Sequence, residues 1–275
     1  MTTESPVDMQ QMKAKMKATW MAGDFGKIAR INAQEAETFV GRLQLKRGAK
    51  VLDVACGTGN LSIPAAKAGC QVTGVDIATN LLEQARERAQ QEGVAANCVF
   101  VEGDAEQLSF ANGEFDAVIS MYGAMFAPRP DRTASEMLRV CKPGGMIAMA
   151  NWTPEGFAGK TFTVTGKHVP PPVGPPAPVM WGDPEVVKHR LGAGTSAIEF
   201  HKRINVFEYP FPPAEVVEFF RNYFGPTQMA FARLDEEGQK RLRDDLIALW
   251  TEHNTNSQGK TTVNAEYLEV RATKK

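Results

Sequence analysis

A chain of 275 residues, 43% hydrophobic and 23% charged, is long enough for one large domain with its own core and needs no disulfide or metal staple. With 31 Lys plus Arg against 32 Asp plus Glu, the net charge of −1 gives no electrostatic footprint for nucleic acid and leaves a small or neutral ligand as the expected partner. Cys56, Cys70, Cys98 and Cys141 lack C-x-x-C spacing, Met1 to Gln10 lacks a signal-peptide apolar run, and no stretch reaches the roughly 20 apolar residues of a membrane span; free thiols, no metal site and a cytoplasmic location are expected.

Residues 9–45 carry a helical period through Ile28, Ile31, Ala36, Phe39, Val40 and Leu43, broken at Gly23-Asp24-Phe25-Gly26. Lys50 to Ala55 then reads as a buried strand running into Cys56-Gly57-Thr58-Gly59, with a helix opening at Asn60 or Ser62. Gln71–Asp76, Val99–Asp104, Phe115–Ser120 and Met146–Asn151 read as further strands. Helices are predicted over Leu81–Glu92 and Pro130–Val140. This alternation predicts an α/β fold with a doubly wound, mostly parallel sheet, its ligand at the carboxyl ends of the strands. After residue 151 the rhythm stops. The Gly- and Pro-rich stretch 152–180 predicts a loop or lid rather than a regular element. A helix over Pro184–Leu191, a strand over Ile198–Tyr209, a largely helical insertion over Pro212–Trp250 with a break at Gly225-Pro226, and a strand over Thr261–Ala272 follow. The last two strands predict an antiparallel pair at the sheet edge.

Three places carry chemistry. Gly57 and Gly59 let the backbone turn sharply beside a nucleotide-like ligand, but Ser62 stands where the NAD fingerprint needs its third glycine. Asp53, at the strand end, favours a cationic ligand group over a pyrophosphate. Asp76 ends the second strand, where a carboxylate accepts from both ribose hydroxyls or caps the next helix. Asp104 ends the third, where it accepts from an adenine amino group or serves as a cap.

Taken in order, Val51 to Gly59, Val75-Asp76, Gly103-Asp104-Ala105, Phe115 to Val118 and Leu138 to Gly145 resemble the motifs of class I S-adenosylmethionine-dependent methyltransferases. The resemblance runs in particular to the ubiquinone- and menaquinone-biosynthesis C-methyltransferase-like (methyltransferase type 11) group. It covers about 100 residues and implies a Rossmann-like core, S-adenosyl-L-methionine as cofactor, S-adenosyl-L-homocysteine as product and a small-molecule methyl acceptor. It further implies that Asp53, Ala55, Gly57 and Gly59 line the methionine part and that Asp76 holds the ribose. Ile77 would pack on adenine, Asp104 and Ala105 read its edge, and Ser120 and Met121 sit beside the sulfonium. Trp20 would belong to an N-terminal helical lid, residues 1–45, over a core at 46–151. Residues 152–275 would complete the fold and carry a helical cap at about 212–256. A non-catalytic binding protein and another nucleotide-cofactor enzyme on the same fold remain alternatives.

The acceptor side lies outside these motifs. Trp20, Tyr122, Met125, Phe126, Trp152, Trp181 and Tyr223 fall near the strand ends, as pocket walls or as core. The spacing of Phe220 and Phe224 assigns both to core and puts Tyr223 on a neighbouring face as the expected pocket wall. His168 and His253 are candidate general bases or ordinary exposed histidines, and with Tyr223 they make up the candidate catalytic residues.

Overall fold

The computed structural model describes residues 8–275. The first seven residues of the expected lid, and most of the polar start, lie outside the described residues. The elements are α1 (Met9–Met21), α2 (Phe25–Ala29), a 3-10 turn (Arg30–Asn32), α3 (Ala33–Leu43), β1 (Lys50–Val54), α4 (Ser62–Lys67), β2 (Gln71–Asp76), α5 (Thr79–Gln91) and β3 (Cys98–Glu102). Then come β4 (Phe115–Met121), α6 (Pro130–Val140), β5 (Cys141–Trp152), α7 (Phe157–His168), α8 (Pro184–Leu191) and β6 (Thr195–Tyr209). The chain ends with α9 (Pro213–Tyr223), α10 (Gly225–Ala232), α11 (Glu236–His253) and β7 (Thr261–Lys274).

Seven strands form one sheet in the order β3-β2-β1-β4-β5-β7-β6, and β7 alone runs against the rest. This is the Rossmann-like arrangement with an antiparallel edge that the strand pattern predicts. The central strands are covered on both faces, so they read as apolar runs. Val51, Leu52 and Val54 of β1 have no exposed surface, and burying such a side chain contributes about 1.5–3 kcal/mol. At the edge β6 and β7 bury every second residue over part of their length and read as alternation. In α3, Ala36, Phe39, Val40 and Leu43 are buried at helical spacing. The helix stops at Gln44 in a left-handed conformation.

The winding reverses between β1 and β4. From β1 the sheet grows outward through β2 and β3, and from β4 it grows the other way. A crevice opens at such a switch point, outside the carboxyl ends of the strands.

Two expectations need correction. Residues 152–180 are not all loop, because α7 occupies Phe157–His168. Gly159, Gly166 and three threonines give that stretch a poor intrinsic helix tendency. Packing overrides it: Phe157 is 4% exposed and meets Trp250 of α11 edge to face at 4.5 Å. The Pro-rich part proper, 169–177, does lack regular structure. In the insertion, Gly225-Pro226 opens α10 instead of breaking a helix; the interruptions fall at Phe224 and at 233–235.

Among the described residues no helix is long and apolar enough to cross a membrane. All four cysteines are free.

Candidate active site

A cavity opens at the switch point. β1 leaves it through Ala55, Cys56 and Gly57, with Ala55 and Gly57 both at positive φ. Gly59 follows at φ +81°, a conformation that L side chains rarely adopt. This turn presents the Gly57 N–H to Asp76, which ends β2 next door: it donates to Oδ2 at 2.8 Å, while the Ala78 N–H donates to Oδ1 at 2.8 Å. Asp76 thus ties the glycine turn to the start of α5 and still lines the cavity, with one further lone pair on each oxygen. Burial pushes its pKa up, and the backbone donors hold it down.

Asp53 is 1% exposed and accepts from the Ser62 hydroxyl at 2.6 Å. The residue that breaks the NAD fingerprint is therefore the partner of the strand-end acid. Burial, with the nearby Asp76 carboxylate adding to it, raises the Asp53 pKa to about 7 despite the Ser62 bond. Asp104, at the end of β3, also lines the cavity; it pairs with Lys13 of α1 and accepts from the Glu106 N–H at 2.9 Å. Lys13 also pairs with buried Glu106, and Lys17 pairs with Glu102, so two lysines on one face of α1 fasten it over the end of β3.

Trp20 of α1 lines the cavity and meets Phe25, Phe126 and Phe224 edge to face at 5.0–5.8 Å. The chain around it is locked to the insertion. Gly23 bridges to Phe224, the Asp24 N–H donates to the Tyr223 carbonyl at 3.1 Å, and a Cβ on Gly225 would sit 1.9 Å from the Thr19 carbonyl.

Beyond the strand ends the walls turn aromatic. Tyr122 and Trp152 lie stacked, centroids 3.6 Å apart and planes within 10°. Tyr122 is held at φ +56°, which costs a bulky residue about 1–3 kcal/mol; the stack and a bond from its N–H to the Ala150 carbonyl at 2.8 Å keep it there. The far walls come from α7, the end of β6, α9 and α11, through Phe157, Phe162, Phe207, Tyr209, Phe220 and Trp250.

Of the residues expected at the cofactor, Trp20, Asp53, Ala55, Gly57, Asp76, Ile77, Asp104, Ala105 and Met121 line this one cavity. Gly59 and Ser120 do not. Gly59 faces Ile63, Phe100 and Ala85 inside the fold, and the Ser120 hydroxyl is spent on the Val54 carbonyl and the Ala124 N–H. On the acceptor side Tyr122, Phe126 and Trp152 line it, whereas Met125, Trp181 and Tyr223 do not. Tyr223 packs on Phe219 under the Lys27 ammonium, 3.9 Å from its ring centre, and the two residues assigned to core, Phe220 and Phe224, are the ones that reach the cavity. His168 pairs with Asp245, and His253 lies against Lys160 and Phe157; neither lines the cavity. Phe207 and Tyr209 escaped the sequence reading. They share a face of β6, but only the end of a strand could have marked them as cavity walls.

The carboxylates of Asp53, Asp76 and Asp104 are the only charged groups on the walls, and no Lys, Arg or His lines them among the described residues. Such a set of acceptors suits a ligand with positive centres and hydroxyl or amino donors, and disfavours a dinucleotide pyrophosphate.

Comparison with known proteins agrees with this chemistry. Residues 51–145 match the methyltransferase domain family. An uncharacterised protein of Mycobacterium tuberculosis is 39% identical over 234 residues, which is 84% of this chain and 85% of the relative. The YcgJ protein of Bacillus subtilis superposes with a TM-score of 0.60 at 18% identity, over 88% of this chain and 98% of that one. Phosphoethanolamine N-methyltransferase 2 of Haemonchus contortus, solved with phosphomonomethylethanolamine and S-adenosylhomocysteine, superposes at 0.56 and 21% identity, over 88% of this chain and 52% of that one. Residues 51–145 thus form a methyltransferase domain on the Rossmann-like fold of these solved structures, and the Haemonchus enzyme has been solved with S-adenosylhomocysteine and with S-adenosylmethionine. Over most of its length the chain is similar to this mycobacterial protein, and to a second uncharacterised one at 35% identity over 240 residues.

Proposed function

We propose that this protein is an enzyme that transfers a methyl group from S-adenosylmethionine to a small-molecule acceptor. The observation that carries the reading is the split cavity: three carboxylates and a glycine turn at the strand ends, and an aromatic chamber beyond them. The cofactor, when bound, supplies a methyl group on a positively charged sulfur, an electrophile that needs no further activation.

The chain's own residues bind, orient and exclude water. Asp76, already fixed by two backbone N–H groups, is free to accept from ribose hydroxyls. Asp53 faces the methionine portion, where a cationic amino group favours its ionised form. Asp104 and Ala105 meet the adenine edge, with Ile77 against the ring and Ala55, Gly57 and Met121 completing the walls. Trp20 and the rest of residues 9–30 act as a lid, fastened by Lys13 and Lys17. Catalysis rests mainly on alignment and desolvation of the two reactants; among the described residues no histidine lines the walls.

Calorimetry with S-adenosylmethionine, S-adenosylhomocysteine and NAD tests the cofactor. Binding of the first two but not of NAD is expected, and tight NAD binding overturns the reading. Release of S-adenosylhomocysteine in a screen of quinols, phenols, thiols and amines then separates an enzyme from a binding protein.

A further inference from the structure

We infer that the acceptor is an uncharged, largely apolar molecule with a flat ring, and that anionic acceptors such as phosphomonoesters and carboxylates are rejected. This deepens the methyltransferase reading and rests on it. The aromatic chamber offers ring faces from α7, β6, α9 and α11, and the polar side chains on its walls are neutral, among them the hydroxyls of Tyr122, Thr161, Tyr209 and Thr227. Among the described residues no Lys, Arg or His lines it. Arg42 is committed to Glu35 and Glu269, Arg88 to the Thr58 carbonyl and Asn60, and Lys13 to Asp104 and Glu106. An anion entering would exchange its hydration for ring faces, whose quadrupoles are negative, beside three aspartates. A neutral ring stacks and buries apolar area against the same walls. The solved neighbour from Haemonchus is in complex with a phosphate-bearing ligand; the walls of this chamber are what bar one here.

The test compares ligands that share one ring system. Quenching of tryptophan fluorescence reports binding to the S-adenosylhomocysteine complex, since Trp152 and Trp250 line the chamber. 2-Naphthol is expected to bind at least about tenfold tighter than 2-naphthoate, and 2-naphthyl phosphate is expected not to bind. Thr161→Lys, at a half-buried wall position, should narrow or invert the naphthol preference by giving the carboxylate a partner. Equal or tighter binding of the naphthoate or the phosphate ester by the unaltered protein overturns the inference. Failure to bind S-adenosylhomocysteine in calorimetry, by contrast, defeats the methyltransferase reading itself.

A separate observation concerns β6. It is the last strand of the sheet, and its outer edge pairs with nothing among the described residues. Ile204 and Val206 are each 45% exposed there, flanked on the same face by Lys202 and Glu208. An antiparallel two-fold pairing centred on Asn205 sets Ile204 against Val206 and Lys202 against Glu208, each twice. We propose that this edge joins a second copy of the chain. So short an interface makes a weak dimer. Sedimentation velocity at about 100 µM should show the unaltered protein dimerising, while Lys202→Glu and Glu208→Lys are each monomeric. A one-to-one mixture of the two variants should regain the dimer, because each then meets the opposite charge. A monomeric unaltered protein, or a mixture that stays monomeric, overturns the pairing.

Discussion

The acidic half of the cavity and its aromatic half are built by different means. The acidic half uses short turns at the ends of β1, β2 and β3, where backbone N–H groups fix Asp76 and Asp104 and the Ser62 hydroxyl holds Asp53. The aromatic half uses side chains from α7, β6, α9 and α11, well separated in the chain. One is set by backbone geometry, which few sequences satisfy; the other by shape, which many ring combinations satisfy. The contrast explains how a fold can keep its cofactor chemistry while its acceptor changes.

The comparison can be broken in four ways. The largest effect is expected for Trp250→Ala in the aromatic half. Trp250 is 3% exposed and packs on Phe157, Tyr209 and Phe220, so the change should cost about 3–5 kcal/mol in urea unfolding, with S-adenosylhomocysteine affinity nearly intact in the folded fraction. A matching loss of affinity means the halves are one unit. Next, Asp76→Ala should weaken S-adenosylhomocysteine binding by about 1.5–3 kcal/mol in calorimetry, whereas Phe220→Ala should not; unchanged affinity in a folded Asp76→Ala protein removes that residue from the site.

The third test uses pH. The Asp53 carboxyl is raised to about 7 by burial, so in the free protein it is mainly protonated below that pH and ionised above it. A cationic ligand group prefers the ionised form. Affinity for S-adenosylmethionine should therefore climb as pH rises towards 7 and level off above it, and Asp53→Asn should flatten the climb. The same linkage makes Asp53 lower the stability of the free protein as pH rises from the ordinary carboxylate range to about 7, because the fold favours the protonated form. The smallest effect belongs to the lid. Lys17→Ala removes a largely exposed pair with Glu102, worth about 0–1 kcal/mol. Hydrogen exchange over 9–30 should quicken slightly in that variant, and should slow in the unaltered protein when S-adenosylhomocysteine binds.

Legibility follows the same division. The central strands β1 and β4 announce themselves as apolar runs, because a doubly covered sheet leaves no other pattern; β3, at the sheet edge with Val99 59% exposed, is legible by its β-branched residues instead. Helix α7 was hidden, since its Thr- and Gly-rich sequence is helical only against α11. At Tyr223 helical counting loses its force because the helix ends there: Phe224 lies outside it, so spacing no longer fixes its direction. Ser120 sits beside the right strand end, yet its hydroxyl clamps β1 to the loop after β4, a three-dimensional contact with no local signal.

The Gly23–Phe224 bridge and the tight passage of Gly225 under Thr19 bear on protein engineering. Substrate preference in such a scaffold invites transplanting the 212–256 insertion from a relative. Here a donor insertion carrying any residue larger than glycine at position 225 would collide with the recipient's own backbone at Thr19. A workable graft must therefore import residues 19–25 together with the insertion, as two strips of one module drawn from distant parts of the chain.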